Sequence, residues 1–415
     1  MRHVPDPPPF AEKLFTVGVT GTNGKTTTTT FIASLLAAIA RPVAKITTLG
    51  FFLDDTPLDV PPHYEGFVQT LRRGFEGGGK YAAIEFTSEA LSLGAARGWP
   101  CDVAVFTNLS RDHLDAHGSM EHYLASKAQL FVTLKHGGSA VLNACDEAAA
   151  LIDEVVPAGR RKLLYGLPSR GAVWGAPDLV ATDVRFDWSG TRVTLAPSSV
   201  ISHACTLHVR AIGEIFAENA LAALAAALAA NLPLERALDV LASVATPDGR
   251  FERVAGSPNV VVDYAHSPDA LARTLATARA LCTGKLTVVF GAGGNRDVEK
   301  RPLLGRAATA ADRIVLTSDN PRDESPQEIA RAIREGVSAH DHVDVELDRG
   351  RAIELALADA ADDDLIVIAG KGHERDQLIQ GERRAFSDRE VAIATLRKLG
   401  RTELSLPPTS SERPI

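Results

Sequence analysis

Short apolar runs that end in polar or glycine residues alternate with stretches whose hydrophobic positions recur at helical spacing. That alternation predicts α/β units built on largely parallel sheets. The run at 15–20 predicts a first strand, and Phe31, Leu35 and Ile39 predict a helix from about Thr27. Further strands are predicted at 81–86, 103–108 and 139–143. From about 157 to 212 the pattern shortens, and "LVATDVRFDWSGTRVTLA", broken at Ser189-Gly190, predicts short antiparallel strands and turns. The alanine-rich stretch 219–232 predicts a buried helix, and Pro247 and Gly249 mark a linker.

A second block repeats the theme. "NVVVDYAHSPDAL" predicts strand into helix, and "KLTVVFGAGGNRD" strand into glycine loop. In "DRIVLTSDNPRDESPQEIARAI" a strand and loop precede a helix with Ser325 as N-cap and Pro326 first. "DLIVIAGKGHE" is a strand ending in a glycine turn. The domain boundaries expected from this layout are an N-terminal tail 1–14, a first α/β domain 15–245, a second 246–400, and a disordered tail 401–415.

At 415 residues the chain can bury more than one core, and its net charge of −8 argues against binding nucleic acid by phosphate neutralisation. Cys101, Cys145, Cys205 and Cys282 form no CxxC pair, as expected of reduced thiols in the cytoplasm. The N-terminus has no apolar signal core, and 219–232 is too short to span a bilayer.

Chemistry concentrates where strands end: Glu85, Asn108, Asp263, Gly291, Asp319 and Gly370. Ligands of open α/β sheets bind beyond those ends. Gly21, Thr22, Asn23, Gly24, Lys25, Thr26 and Thr27 lie between a strand and a helix. Glycines let backbone N–H groups curl around a phosphate, Lys25 adds a mobile charge, and Thr26 offers a hydroxyl to Mg²⁺. The spacing departs from GxxxxGK[ST], because Val19 stands five before Gly24. Taken singly, the other candidates have bland accounts. Glu85 reads as an ion-pair member, His113 as a loop histidine, and Lys127 as a snorkelling surface group. A zinc site from His113 and His117, four apart, lacks a third ligand. Arg296, Asn320, Arg322, Lys371 and Glu374 could be surface ion pairs, but arginines with a glutamate also suit a zwitterion such as an amino acid.

The ordered set "GTNGKTTTT", "FTNLSRDHLDAHGSMEHYLASK", "GRFERV", "DYAHSPDAL", "GAGGNRDVEKRPLLG", "TSDNPRDE", "IAGKGHE" and "FSDRE" resembles the Mur ligases, and within them the MurE group, from about residue 15 to 400. The resemblance implies a central P-loop ATPase-like domain with a mostly parallel sheet and a Rossmann-like C-terminal α/β domain. It implies an ATP-dependent carboxylate–amine ligase that works through an acyl phosphate. Lys25 and Thr26 would hold ATP phosphates and magnesium, with Glu85 and His113 ligating a second magnesium. Lys127 would be the carbamylated lysine. Asn219, Arg250 and Asp263 would contact adenine, phosphate and ribose. Arg296, Asn320, Arg322, Gly370 and Glu374 match the positions that hold meso-diaminopimelate.

The chain departs from the MurE pattern on the acceptor side. Only about sixteen residues precede the first strand, so the uridine-binding domain is expected to be absent or supplied by a separate acceptor-presenting partner. Thr87-Ser88-Glu89 stands where MurE has Ser-Ser-His, and Ala95 stands at its acceptor arginine, with Arg97 nearby as a substitute. The expected substrate amino acid is meso-diaminopimelate or a similar one, on an acceptor without the UDP handle. The conventional UDP-linked acceptor is the near alternative, and an inactive scaffold protein is the alternative from another class. Neither nucleic-acid binding nor membrane insertion is expected.

Overall fold

The computed structural model describes residues 6–167, 169, 174–337 and 341–401, so nearly all of the predicted C-terminal tail lies outside the described residues. The chain divides into two compact units. The first carries the residues up to Ser110 together with Ala116–Ala245; the second carries Arg111–Asp115 and the chain from Thr246 on.

In chain order the strands of the first unit are β1 (Phe15–Thr20), β2 (Val43–Thr47), β3 (Gly50–Leu53), β4 (Thr56–Pro57), β5 (Tyr81–Glu85), β6 (Val103–Phe106), β7 (Ser139–Asn143), β8 (Arg161–Gly166), β9 (Leu179–Asp187), β10 (Gly190–Leu195) and β11 (Cys205–Val209). They form one sheet in the order β11-β10-β9-β8-β7-β6-β1-β5-β2-β3-β4. Its centre is parallel, and antiparallel strands complete both edges. The 157–212 region is therefore only partly antiparallel, because β8 pairs parallel with β7 and extends the central sheet. The first helix spans Lys25–Ala37, two residues earlier than its hydrophobic pattern suggests, because the threonines of its first turn are themselves buried. The alanine-rich helix spans Glu214–Ala229, and its residues from Phe216 to Ala227 are all buried. Alanine there lets the helix lie close against helix Lys25–Ala37.

The second unit contains β12 (Glu252–Gly256), β13 (Asn259–Asp263), β14 (Leu286–Phe290), β15 (Arg313–Leu316), β16 (Val343–Val345), β17 (Leu365–Ala369) and the hairpin β18 (Asp376–Ile379) and β19 (Glu382–Ala385). Its main sheet runs β12-β13-β17-β14-β15-β16, and only β12 pairs antiparallel. β13, β14 and β17 are buried almost throughout, as parallel strands covered on both faces must be. Ser325 caps helix Pro326–Arg334 by accepting from the Glu328 N–H, in agreement with its sequence signature.

Candidate functional site

In the first unit, β1 is where the strand order reverses, since β5 and β2 lie on one side of it and β6 and β7 on the other. Beyond its end runs the 21–27 loop. Gly24 has φ +83°, a left-handed value that favours glycine, and a Cβ there would sit 2.2 Å from Asn219 Oδ1. Much of the loop is held by neutral groups. The Thr22 N–H donates to Asn108 O (2.8 Å), the Asn23 N–H to Asn108 Oδ1 (2.9 Å), and Thr107 Oγ1 to Asn23 O (2.7 Å). Lys25 opens the helix and donates from Nζ to Thr22 O at 2.7 Å. Asn219 is buried, and its Nδ2 has no hydrogen-bond partner among the described residues.

Glu85, the last residue of β5, is buried and accepts from Thr26 Oγ1 (3.0 Å), Thr48 N (3.1 Å) and Thr48 Oγ1 (3.3 Å). No lysine, arginine or histidine pairs with it among the described residues, which sets aside the ion-pair account. Thr48 carried no sequence signal, because it reaches Glu85 only through the pairing of β2 with β5. Lys127 is buried rather than snorkelling. Its Nζ donates to Gly21 O at 2.6 Å and stands 4.0 Å from the centre of the Tyr123 ring, whose hydroxyl donates to Thr22 Oγ1. On the acceptor side the Thr87 hydroxyl caps helix Ser88–Ser92, and the buried Ser88 hydroxyl meets His117 Nε2 at 2.9 Å. Arg97 is exposed and makes no hydrogen bond or ion pair with them.

In the second unit, the segment Arg111–Asp115 packs on the loop after β14. Arg111 pairs with Asp297 and Glu299, and Asp115 with Arg296 (3.2 Å). The adjacent Asp112 is buried among Lys300 (3.1 Å), His266 (3.5 Å) and His113 (3.6 Å). Burial opposes its charge, but the hydrogen bond and charge of His266, with Lys300 and His113, hold its carboxyl well below the usual carboxylate range. At the end of β13, Asp263 accepts from Phe251 N, Ala265 N and Thr274 Oγ1, and burial pushes its carboxyl up against those donors and the Arg250 charge. The Arg250 guanidinium stacks 4.3 Å from the Tyr264 ring. His373 lies against the same ring, and its pKa falls to about 4, chiefly through burial and then through the charges of Arg250, His266 and Lys371.

The loops after β15 and β17 bring Asn320 and Glu374 together, with Asn320 Nδ2 donating to Glu374 Oε2 at 3.0 Å. Lys371 joins them. It is wholly buried, and its Nζ donates to Glu374 Oε2 (2.8 Å) and Asn320 Oδ1 (3.1 Å). Arg322 has φ +53° and donates to Gly294 O at 2.7 Å. Gly370 has φ +115° and no room for a side chain, since a Cβ would lie 2.6 Å from Asp319 Oδ2. Sequence inspection placed Lys371 at a strand end without giving it a task; its lack of solvent exposure is what reveals one.

A glycine-rich strand-end loop in one α/β unit and a paired amide, carboxylate and lysine at strand ends in another fit a ligase of two α/β domains. Family models agree: "Mur ligase middle domain" matches residues 19–227 and "Mur ligase, glutamate ligase domain" matches 249–372. The chain belongs to the Mur ligase family and is an ATP-dependent amino-acid ligase. The UDP-N-acetylmuramoyl-L-alanyl-D-glutamate–2,6-diaminopimelate ligase of Synechococcus elongatus is 39% identical over 396 residues, covering 93% of this chain and 77% of that one. A solved structure of an enzyme of the same name superposes with a TM-score of 0.62 at 34% identity, covering 94% of this chain and 79% of the other. The pseudomurein peptide ligase type C of Methanothermus fervidus shares the fold, with a TM-score of 0.69 at 20% identity over 93% of this chain and 79% of its own. Among the described residues no helix is long and apolar enough to cross a membrane.

Proposed function

We propose that this ligase joins meso-diaminopimelate, or an amino acid with the same charged groups, to a carboxylate that need not carry a uridine nucleotide. The observation that carries the amino-acid half is the orientation of Asn320. Its Oδ1 accepts from Lys371 Nζ and from Leu378 N (2.9 Å), so the amide turns its N–H₂ to Glu374. The site therefore offers donors from Asn320, Arg322 and Arg296 to carboxylates, and Glu374 to an ammonium. Gly370 lets the two loops close on each other, since a side chain there would meet Asp319 Oδ2.

The first unit fits ATP and Mg²⁺. Glu85 is a buried carboxylate with only hydroxyl and amide partners, one of them Thr26, and such a group suits a divalent cation. Glu85 and Thr26 would hold a metal in this unit, which would neutralise phosphate charge when bound. Gly21 to Thr27 and Asn219 would cradle the nucleotide. Lys25 leaves the Thr22 carbonyl to stabilise charge on the transferring phosphoryl group. The acceptor carboxylate becomes an acyl phosphate, and the amino acid's amine displaces the phosphate. Lys127, carbamylated, would carry a carboxylate beside the loop; intact mass of the native protein tests for one added CO₂. An ATP-consuming ligase of this kind works in the cytoplasm.

The acceptor proposal rests on Glu89 and Arg97, both exposed, and on the Thr87 and Ser88 hydroxyls being engaged within the protein. With Ala95 between them, the anchor for an anionic acceptor is weaker than MurE's. The second candidate is the conventional acceptor UDP-N-acetylmuramoyl-L-alanyl-D-glutamate, favoured by the 39% identity to the Synechococcus elongatus enzyme. ADP release with Mg-ATP and meso-diaminopimelate, on that acceptor and on the same acceptor without UDP, decides between them. We expect turnover on the stripped acceptor; turnover confined to the UDP-linked one selects the conventional activity.

A further inference from the structure

We infer that Arg349 and Asp388 are positioning residues for the amino-acid site, a buried clamp that sets the spacing of its two loops. Asp388 belongs to the "FSDRE" segment, which the proposed chemistry leaves without a role. The inference rests on the amino-acid site proposed for this unit.

Both side chains are completely buried. Arg349 Nε donates to Asp388 Oδ1 at 2.7 Å and Nη2 to Oδ2 at 2.8 Å, a bidentate pair. The rest of the fork reaches two main-chain carbonyls: Nη2 donates to Ala369 O (2.9 Å) and Nη1 to Ser318 O (3.3 Å). Ala369 ends β17 and leads straight into Gly370 and Lys371. Ser318 lies two residues past β15 and leads into Asp319, Asn320 and Arg322.

β15 and β17 are not neighbours, because β14 runs between them. No hydrogen bond between those two strands can therefore fix one loop against the other. At their far side the loops are tied by the main chain of Arg322, which bridges to β18, and by Asn320 with Lys371 and Glu374. At the roots of the loops the guanidinium spans that gap across the sheet, and Gln377 adds a neutral tie by donating from Nε2 to Asp319 O (2.6 Å). The two loops come so close that a Cβ on Gly370 would meet Asp319 Oδ2. An apolar pair of equal volume would fill this core without the desolvation cost of two buried charges. It could not donate to two carbonyls at once. Lysine could not either, since an ammonium is a point charge on a flexible stem and not a planar fork.

The test uses the full chain with Arg349→Lys and Asp388→Asn. Hydrogen–deuterium exchange of 318–322 and 370–374 is compared with that of 21–26, beside KM for meso-diaminopimelate and for ATP. The clamp predicts at least tenfold faster exchange in the two amino-acid loops with 21–26 unchanged, and a KM for the amino acid raised about tenfold with that for ATP within twofold. A folded Arg349→Lys protein with unchanged exchange in both loops overturns it. So does a uniform rise in exchange across the whole unit in both variants, which marks a merely structural pair. If the wild type takes no such amino acid, the proposed substrate fails while the exchange measurement still decides the clamp.

Discussion

The two strand-end sites are held by opposite means. Around the 21–27 loop of the first unit the supporting groups are mostly neutral: the hydroxyls of Thr22 and Thr107, the amides of Asn23 and Asn108, and main-chain carbonyls, with Lys127 on Gly21 O as the charged exception. Around the amino-acid loops of the second unit the supports are charged: Arg349 with Asp388, Lys371 with Glu374, and Arg301 with Glu324. If the first loop holds a polyanion as proposed, largely neutral supports would not compete with the helix N-terminus for it. A zwitterion brings both signs, and its site must keep each sign in place before the ligand arrives. The comparison teaches that substitutions in the first unit should act on binding and rate of ATP chemistry, and those in the second on fit of the amino acid.

The largest expected effect is at Lys25. Lys25→Met should lower kcat by about a thousandfold, the cost of one charge-stabilising donor at a phosphoryl group, with the fold intact by circular dichroism. A loss under tenfold would place the stabilising charge elsewhere. Gly24→Ala comes next. The added Cβ would clash with Asn219 Oδ1, and φ +83° strains any side chain, so stability should fall by roughly 1–3 kcal/mol and ATP affinity with it. Urea unfolding together with nucleotide binding measures both, and unchanged affinity would remove the loop from the nucleotide site.

In the second unit, Lys371→Met should leave the Glu374 carboxylate without its nearest cation and Asn320 Oδ1 with one donor fewer. Unmet polar groups of this kind cost about 1–3 kcal/mol, so KM for the amino acid should rise about tenfold or more while KM for ATP holds. Equal changes in both would break the contrast between the units.

How much of this was legible in the sequence differs between the two sites for the same physical reason. The glycine loop is contiguous from Gly21 to Thr27, so its strand, glycines and lysine could be read together. The parallel strands were legible because each is a short apolar run. The outer hairpins β3–β4 and β18–β19 were not, being partly or wholly exposed and without a clear apolar period. Thr48, Lys371 and Arg349 gained their roles only from tertiary pairing. Thr48 meets Glu85 across β2 and β5, and Arg349 meets Asp388 across 39 residues of chain. Asn320 and Glu374 were nameable singly among the strand-end candidates; what could not be foreseen is that they meet, and that Lys371 fixes which way Asn320 faces.

The smallest effect tests whether the second unit's charged environment reaches the Tyr264 cluster. His373 Nδ1 is buried with no hydrogen-bond partner among the described residues, and its pKa is lowered from 6.5 to about 4. A histidine kept neutral in the fold but free to protonate when unfolded binds fewer protons in the native state. Its contribution is therefore fully present above pH 6.5, is lost as pH falls from there to 4, and is constant below. A shift of that size is worth at most roughly 3 kcal/mol, and with part of the ring open to water about 1 kcal/mol is expected. His373→Gln removes the titration, so hydrogen exchange in β17 should show a flatter dependence between those limits than in the wild type. Parallel profiles would mean that neither burial nor the charges of Arg250, His266 and Lys371 hold this ring neutral in the fold.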